Sequence, residues 1–317
     1  MFGRKKAAIG LDVGTHAIKV VEVGVSGSTV TVGNAGYQEI TSEDAREAAL
    51  RDLVHRTGLK GEDVVTSVAG RSVIVRYVNL RRMDEVVLDC QPIEGADNVG
   101  PDEMRVLLVA VKRNLIEEHV SLLRACGVNP VVIDVDGFAL GNAHLLASGG
   151  NVGEDVKGCV DIGASKTNIN VMQGDRSLFT REVYVGGSDF SAEISRRLSI
   201  NPFEVEELKS NPGEKEQDLR EAVQGVTDDL ANEIRLSLDF FENEFDRKVE
   251  SVVLSGGGSR MAGLAESLQE SFEKPTTVWD PSSALTMRLS HDGEELFRGK
   301  APQMTVAIGL AARIGRK

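Results

Sequence analysis

The apolar positions along this chain change period several times, and each change marks an element. Between residues 7 and 25 two apolar runs flank a polar turn: Ala8, Ile9 and Leu11 lead into Asp12-Val13-Gly14-Thr15-His16, and Ile18, Val20, Val21 and Val23 lead out. This pattern predicts a β-hairpin, with a third strand from Ser28 to Tyr37. Ser42, followed by Glu43 and Asp44, opens a helix that runs to Thr57 and stops near Gly58. Alternation then returns as strands Val64 to Ala69 and Ser72 to Leu80, joined at Gly70-Arg71, and as Val86 to Gln91. A loop rich in Gly, Pro, Asp and Asn, Pro92 to Asp102, leads to a strand from Met104 to Val111. Leu115, Ile116, Val120 and Leu123 take helical spacing over Arg113 to Cys126, with Gly127 as the stop. Strand Pro130 to Asp134 runs directly into a helix from Asp136 to Ala147.

Ser148 to Asp155 is the strongest domain boundary by composition, and the second half then repeats the opening plan. A hairpin over 158–173 carries Asp161-Ile162-Gly163-Ala164-Ser165-Lys166-Thr167 at its turn, followed by a strand over 177–185 that ends at Gly186-Gly187. Helices follow at Ser188 to Leu198 and Pro202 to Lys209. A long helix from Glu216 to Phe245 has Leu219, Val223, Val226, Leu230, Ile234, Leu238 and Phe241 on one face. Strand Ser251 to Leu254 meets Ser255-Gly256-Gly257-Gly258-Ser259, a helix spans Ala262 to Phe272, and a small-residue helix spans Ala301 to Ile314.

The two Asp-x-Gly turns carry the candidate chemistry. Gly14 and Gly163 let backbone N–H groups approach a polyphosphate, and Thr15, His16, Ser165 and Thr167 offer side-chain donors. Lys19 reaches phosphate charge, and Asp12 and Asp161 suit a hydrated Mg²⁺. A single such turn is equally an ordinary hairpin; two facing copies of one layout argue for a nucleotide clamp. The Gly256-Gly257-Gly258 loop, with Ser259, allows close backbone approach between a strand and a helix. Glu206 and Lys209 lie one turn apart, placed to face a ribose or base, or simply to form a surface ion pair.

Composition narrows the class of partner. A chain of 317 residues, 41% hydrophobic, is long enough for two lobes with their own cores. Its net charge of -13 disfavours polyanionic partners, so neither nucleic acid nor an acidic membrane surface is expected. No apolar run has the length of a membrane span, and the basic Met1 to Lys6 precedes a strand rather than a signal-peptide core. The chain reads as soluble and cytoplasmic, with Cys90, Cys126 and Cys159 as reduced packing residues.

Seven stretches together resemble one superfamily: GLDVGTHAIKVVEV at 10–23, VVIDVDGFALGNA at 131–143, VDIGASKTNINV at 160–171, VGGSDF at 185–190, NPFEVEELK at 201–209, VVLSGGGSRMAGL at 252–264 and TVAIGLAAR at 305–313. In this order they look like the actin-like ATPases, and most of all the PilM family of type IV pilus assembly proteins, relatives of FtsA. The resemblance implies an α/β, two-lobed actin-like fold of duplicated ribonuclease H-like lobes. The first lobe would take residues 1–147, with an SHS2-like subdomain inserted at about 39–127. A linker at 148–157 would lead to the second lobe at 158–300, which has a helical subdomain at about 200–248, and residues 301–317 would return as a hinge helix to the first lobe. It further implies ATP with Mg²⁺ in the cleft. Asp12, Gly14, Thr15 and Lys19 would form the first phosphate loop, and Asp161, Gly163, Ser165 and Thr167 the second. Glu206 and Lys209 would flank ribose and adenine, and Gly256, Gly257, Gly258 and Ser259 would form the adenosine loop. Phe138 to Ala143 and Ala307 to Leu310 resemble the two crossing hinge helices. The implied partner is the cytoplasmic tail of an inner-membrane PilN-like protein, with self-association also compatible.

One departure stands out. PilM-like inserts usually carry an extra helix between the strands matching Val78-Asn79-Leu80 and Glu85 to Asp89, whereas here only Arg81-Arg82-Met83-Asp84 joins them, so the insert is trimmed. For hydrolysis, the acceptor that would polarise water is Asp134 or Asp136, but the role expected first for Asp136 is to cap its helix. Firm nucleotide binding with slow or negligible turnover is therefore expected. A small-molecule kinase of the same superfold would need a further deep acid and longer substrate loops. An FtsA-like filament protein would carry an amphipathic anchor beyond the small-residue helix, where this sequence reaches Lys317.

Overall fold

The structure, a computed structural model, describes residues 7–27, 29–70, 73–75, 85–92, 106–148 and 153–313. Strands β1 (Ala7–Val13), β2 (Ala17–Ser26) and β3 (Thr29–Glu39) form an antiparallel meander joined by short turns, with β1, buried from Ala8 to Asp12, on its inner side. Beside β1 run β4 (Asp63–Val68) and then β8 (Asn129–Val135), both parallel to it. The chain's second half closes the far edge with β14 (Thr286–Met287), giving the order β14-β3-β2-β1-β4-β8. The second sheet repeats this plan: β9 (Val156–Ile162), β10 (Thr167–Gln173) and β11 (Arg176–Val183) form the meander. Strands β12 (Ser251–Ser255) and β13 (Thr276–Val278) lie parallel to β9, in the order β11-β10-β9-β12-β13.

Between β4 and β8 the chain makes a separate antiparallel sheet, β5 (Val73–Val75), β6 (Val86–Pro92) and β7 (Val106–Lys112), in the order β5-β7-β6, and then helix α2 (Arg113–Ala125). The shortened connection at Arg81 to Asp84, most of the expected strand Ser72 to Leu80 and the loop from Pro92 onward to residue 105 lie largely outside the described residues. The basic Met1 to Lys6, residues 149–152 of the linker and Ile314 to Lys317 lie outside them too. Helix α1 (Arg46–Arg56) starts later than its polar opening predicts: Glu43–Ala45 form a 3-10 turn first, and Ser42 makes no side-chain cap. The small-residue segment likewise opens with a 3-10 turn, Ala301–Met304, before α9 (Thr305–Ala312).

One core lies under α1 and α2, where Leu11, Ile18, Leu50, Leu53 and Leu123 are fully buried. The second sheet is covered by α4 (Gly187–Leu198), α6 (Glu216–Phe245) and α7 (Leu264–Phe272), with Phe190, Ile194, Ile234 and Phe241 at its centre. Helix α5 (Pro202–Ser210) follows α4, and α8 (His291–Gly299) packs on β3. Cys126 is buried in the first of these cores, Cys159 in a small cluster with Leu140 and Met172, and Cys90 is exposed, all three as free thiols.

Two apolar helices join the sheets. α9 rests on β1 and β2, while α3 (Asp136–Ala147) rests on β9, β10 and β11, and the two cross each other. Their contact is backbone to backbone, since a Cβ at Gly309 would lie 1.7 Å from the Ala139 carbonyl oxygen; α9 meets β1 in the same way, a Cβ at Gly10 lying 1.9 Å from the Ala307 carbonyl oxygen. On its other side α3 presents Gly137 to Thr180, and Gly141 to Met172 and Asn170. The side-chain amide of Asn170 donates to the Gly137 carbonyl.

Because no side chain fits at Gly309, Gly309→Ala is expected to destabilise the protein by about 3 kcal/mol. Gly299→Ala, where nothing lies within 4 Å, should be neutral or slightly stabilising. Urea midpoints of the two variants measure this; equal midpoints would mean that the helices part without cost.

Candidate functional site

The two hairpin turns are built alike. Gly14 N–H donates to the Ala17 carbonyl at 3.1 Å, and Gly163 N–H donates to the Lys166 carbonyl at 2.9 Å. Added Cβ atoms at these glycines would meet the same acceptors at 2.9 and 3.0 Å, so the turn geometry itself excludes side chains there. The turns meet, with Thr15 Oγ1 lying 3.1 Å from Ser165 Oγ, and beside them burial works against the Glu206 charge but Lys209 and Ser191 hold its carboxyl below the ordinary value.

Strand register explains the polar residues behind the turns. In the first sheet Asp12 pairs with Lys19, Lys19 with Tyr37, and Ser67 with Asp134. In the second, Ser255 pairs with Asp161, Asp161 with Asn168, and Asn168 with Glu182. Neighbours at one register level share a face, so each sheet presents a cross-strand row of polar groups at the ends of its central strands. Lys19 Nζ donates to Asp12 Oδ2 at 2.9 Å, and Ser255 Oγ donates to Asp161 Oδ1 at 3.0 Å. Both carboxylates are buried, at 7% exposure each. Burial pushes both acids up; Asp161 reaches about 6 even though Lys19 and Ser255 favour its charge, and Asp12 adds to the rise. Burial works against the Lys19 ammonium, but Asp12 more than compensates and holds it above its ordinary value.

The remaining predicted residues divide by what holds them. Lys209 is buried and shares its ammonium between Glu206 at 3.0 Å and Ser191 Oγ at 3.0 Å, while Ser191 donates to Glu206 at 2.7 Å. The surface-pair alternative is thus half realised: the pair forms, but with one partner enclosed beside the second turn. The Lys209 carbonyl accepts from Ala262 N–H at 2.9 Å, which brings this helix to the glycine loop. Within that loop Gly256 has φ +82, and its Cβ would strike the Ile162 carbonyl at 2.4 Å. A Cβ at Gly258 would strike the Ile162 side chain at 2.3 Å, so packing on β9 already requires these two glycines. Gly257 meets only the flexible Gln303 amide, and Ser259 Oγ closes the loop on the Gly256 carbonyl at 2.8 Å. Thr167 is fully buried and donates to the Val185 carbonyl at 2.7 Å, so its hydroxyl braces the strand rather than facing the turn.

The capping role expected for Asp136 is not seen. It is the first residue of α3, Val135 occupies the cap position, and the Asp136 carboxylate lies 3.0 Å from Lys166 Nζ. Asp134 accepts from the Val135 amide through Oδ1 at 2.8 Å, and its buried Oδ2 lies 3.2 Å from Arg313 Nε as an ion pair without a hydrogen bond. Ser255, Ser191, Lys166 and Glu182 were not singled out by motif. Register is the signal that finds the first and last of them, since both fall in the row through Asp161.

Two sheets of one plan, joined by crossed helices and facing each other through duplicated Asp-x-Gly turns, define an actin-like ATPase fold. A family profile described as type IV pilus assembly protein PilM matches residues 81–314. The chain belongs to that family. It is similar to the solved structure of a PilM-PilN type IV pilus biogenesis complex, with a TM-score of 0.81, 27% identity, and 98% of this chain and 99% of that one covered. It shares its fold with the ethanolamine utilization protein EutJ from Carboxydothermus hydrogenoformans, at TM-score 0.61 and 16% identity, covering 98% of this chain and 90% of that one. The same holds for MreB 5 of Spiroplasma citri bound to AMPPNP, at TM-score 0.55 and 12% identity, covering 93% of this chain and 97% of that one. Among the described residues no helix is long and apolar enough to cross a membrane.

The raised acid gives a stability test. Asp161 ionises near 6 when folded against 3.8 unfolded, so between these values the folded state binds the extra proton and stability falls as pH rises. Its ionised form then costs up to about 3 kcal/mol above pH 6. Ligand-free Asp161→Asn should therefore be more stable than wild type at pH 7, and the advantage should vanish toward pH 4. Thermal melts at the two pH values read this, and a variant less stable at pH 7 would refute it.

Proposed function

We propose that this protein is a nucleotide-responsive platform of the type IV pilus assembly machinery, holding ATP with Mg²⁺ between its two lobes at the cytoplasmic face of the inner membrane. The observation that carries this reading is the meeting of the two turns at Thr15 and Ser165 directly in front of two buried carboxylates, Asp12 and Asp161. Two buried acids with one ammonium between them are short of positive charge, and a hydrated divalent cation supplies it. An ion held by two carboxylates keeps most of its waters, as Mg²⁺ commonly does. Asp12 and Asp161 would hold that ion, and it would offset the phosphate charge. Gly14, Thr15 and Lys19 from one side, and Gly163 and Ser165 from the other, would cradle the phosphates, with Thr167 bracing the second loop. Glu206 and Lys209 would border the ribose and base, with Gly256, Gly257, Gly258 and Ser259 beneath the adenosine.

Turnover is expected to be slow or negligible, because both candidate acceptors are engaged: Asp136 by Lys166 and Asp134 by Arg313. The platform role rests on family membership and on a relative solved as a PilM-PilN complex. The partner proposed here is the cytoplasmic tail of an inner-membrane PilN-like protein, which would bring this chain to the membrane without insertion.

Fluorescent ATP with Mg²⁺ should bind wild type and bind Asp12→Ala/Asp161→Ala at least about tenfold more weakly, a loss of about 1.4 kcal/mol or more. A peptide from the PilN-like tail should change the affinity of wild type for the nucleotide. Equal binding by the double variant would reject the site. Nucleotide binding indifferent to the peptide would point to another partner for the trimmed insert. Steady hydrolysis that disappears in Asp136→Ala while binding persists would make Asp136 a catalytic acceptor.

A further inference from the structure

The second turn is tied to more than its own hairpin. Lys166 closes it through its backbone, accepting from Gly163 N–H at 2.9 Å, and the turn is pinned from behind by α4, whose Gly187 and Ser188 amides donate to Gly163 and Ala164 at 2.8 Å each. The side chain of Lys166 points the other way. Its ammonium lies 3.0 Å from Asp136 at the head of α3 and donates to Glu182 Oε2 on β11 at 2.8 Å. The same Glu182 oxygen accepts the backbone N–H of Gly70 at 3.1 Å. Gly70 ends the stretch after β4, has φ +104, and its carbonyl accepts from the N–H of Val73, the first residue of β5 in the inserted sheet, at 2.8 Å. The three side chains are 14–19% exposed, and the other Glu182 oxygen is buried with no hydrogen-bond partner. A half-satisfied buried carboxylate is costly unless a cation stays beside it, so the arrangement is sensitive to where Lys166 sits.

We propose that Lys166 and Glu182 form an interlobe latch that transmits the state of the second phosphate turn to the root of the inserted subdomain at Gly70, with Lys166 also holding Asp136 away from water. The latch deepens the nucleotide-platform reading and rests on it for its trigger. A ligand held between Thr15 and Ser165 fixes the turn that carries Lys166. Lys166 then fixes Glu182, and Glu182 fixes the Gly70 amide, from which the first strand of the insert departs. The two sites are distinct, and the contact between them crosses from the second sheet to the first.

Hydrogen exchange at the Gly70 amide in the full-length protein tests this. Without ligand, Lys166→Met and Glu182→Ala should each speed Gly70 exchange at least about threefold. Lys166→Arg should restore the slow rate, and unchanged protection in β9 and β10 would show that the variants are folded. Unchanged Gly70 exchange in both Lys166→Met and Glu182→Ala would overturn the latch. With Mg²⁺ and a non-hydrolysable ATP analogue, Gly70 exchange in wild type should slow further. Glu182→Ala should lose that response while its affinity for fluorescent ATP stays within about threefold of wild type. A response that survives in Glu182→Ala, or is absent in wild type shown to bind the analogue, would remove the proposed coupling. If wild type binds no ATP, the nucleotide reading fails by itself, and the ligand-free variants still decide whether the latch exists.

Discussion

The approach of α3 to α9 through bare backbone is the constraint on which the rest of the molecule depends. With Gly309 against the Ala139 carbonyl and Gly10 against that of Ala307, the helices and strand β1 sit closer than any side chain permits. That distance fixes how far apart the two sheets stand, and therefore where the ends of β1 and β9 meet. The facing turns are a product of that spacing: hydroxyls 150 residues apart in sequence come within 3.1 Å because the helices between them leave no slack.

Bringing those strand ends together concentrates charge. Asp12, Asp134 and Asp161 are buried at strand ends, and burial raises each above its ordinary value. The chain's own cations are committed in pairs: Lys19 to Asp12, Lys166 to Asp136 and Glu182, and Arg313 to Asp134. This distribution answers the site's charge only in part, which is why a divalent cation is proposed there.

Much of this architecture is legible in the sequence because it is periodic. The meanders alternate, the thirty-residue α6 repeats its apolar face from Leu219 to Phe241, and the Asp-x-Gly layout occurs twice at matching places. The close crossing also leaves a trace, since Gly309 and Ala307 sit in a run of small residues with no polar face. What sequence does not carry is partnership across the fold. Asp136 reads as a cap because an acid at a helix start normally is one; its lysine arrives from a hairpin thirty residues later, at a place set only by how α3 lies on β10 and β11. Glu182 reads as one polar residue in an edge strand until register aligns it with Asn168 and Asp161. The glycine loop misleads in a different way: two of its three glycines are required by Ile162, whatever lies above them. The trimmed insert is plain in sequence as a missing segment, and its Arg81 to Asp84 connection lies outside the described residues.

The order of the chain and the order of the architecture disagree in one respect. The first sheet begins within the opening residues, yet its outer strand is Thr286–Met287 and the helix that roofs β1 and β2 is Thr305–Ala312. Helix α3, made earlier, lies on strands made after it. A ribosome therefore delivers the second lobe in full before it releases the pieces that finish the first. Until Thr305–Ala312 have been made, the apolar face of the first sheet lacks the helix that covers β1 and β2.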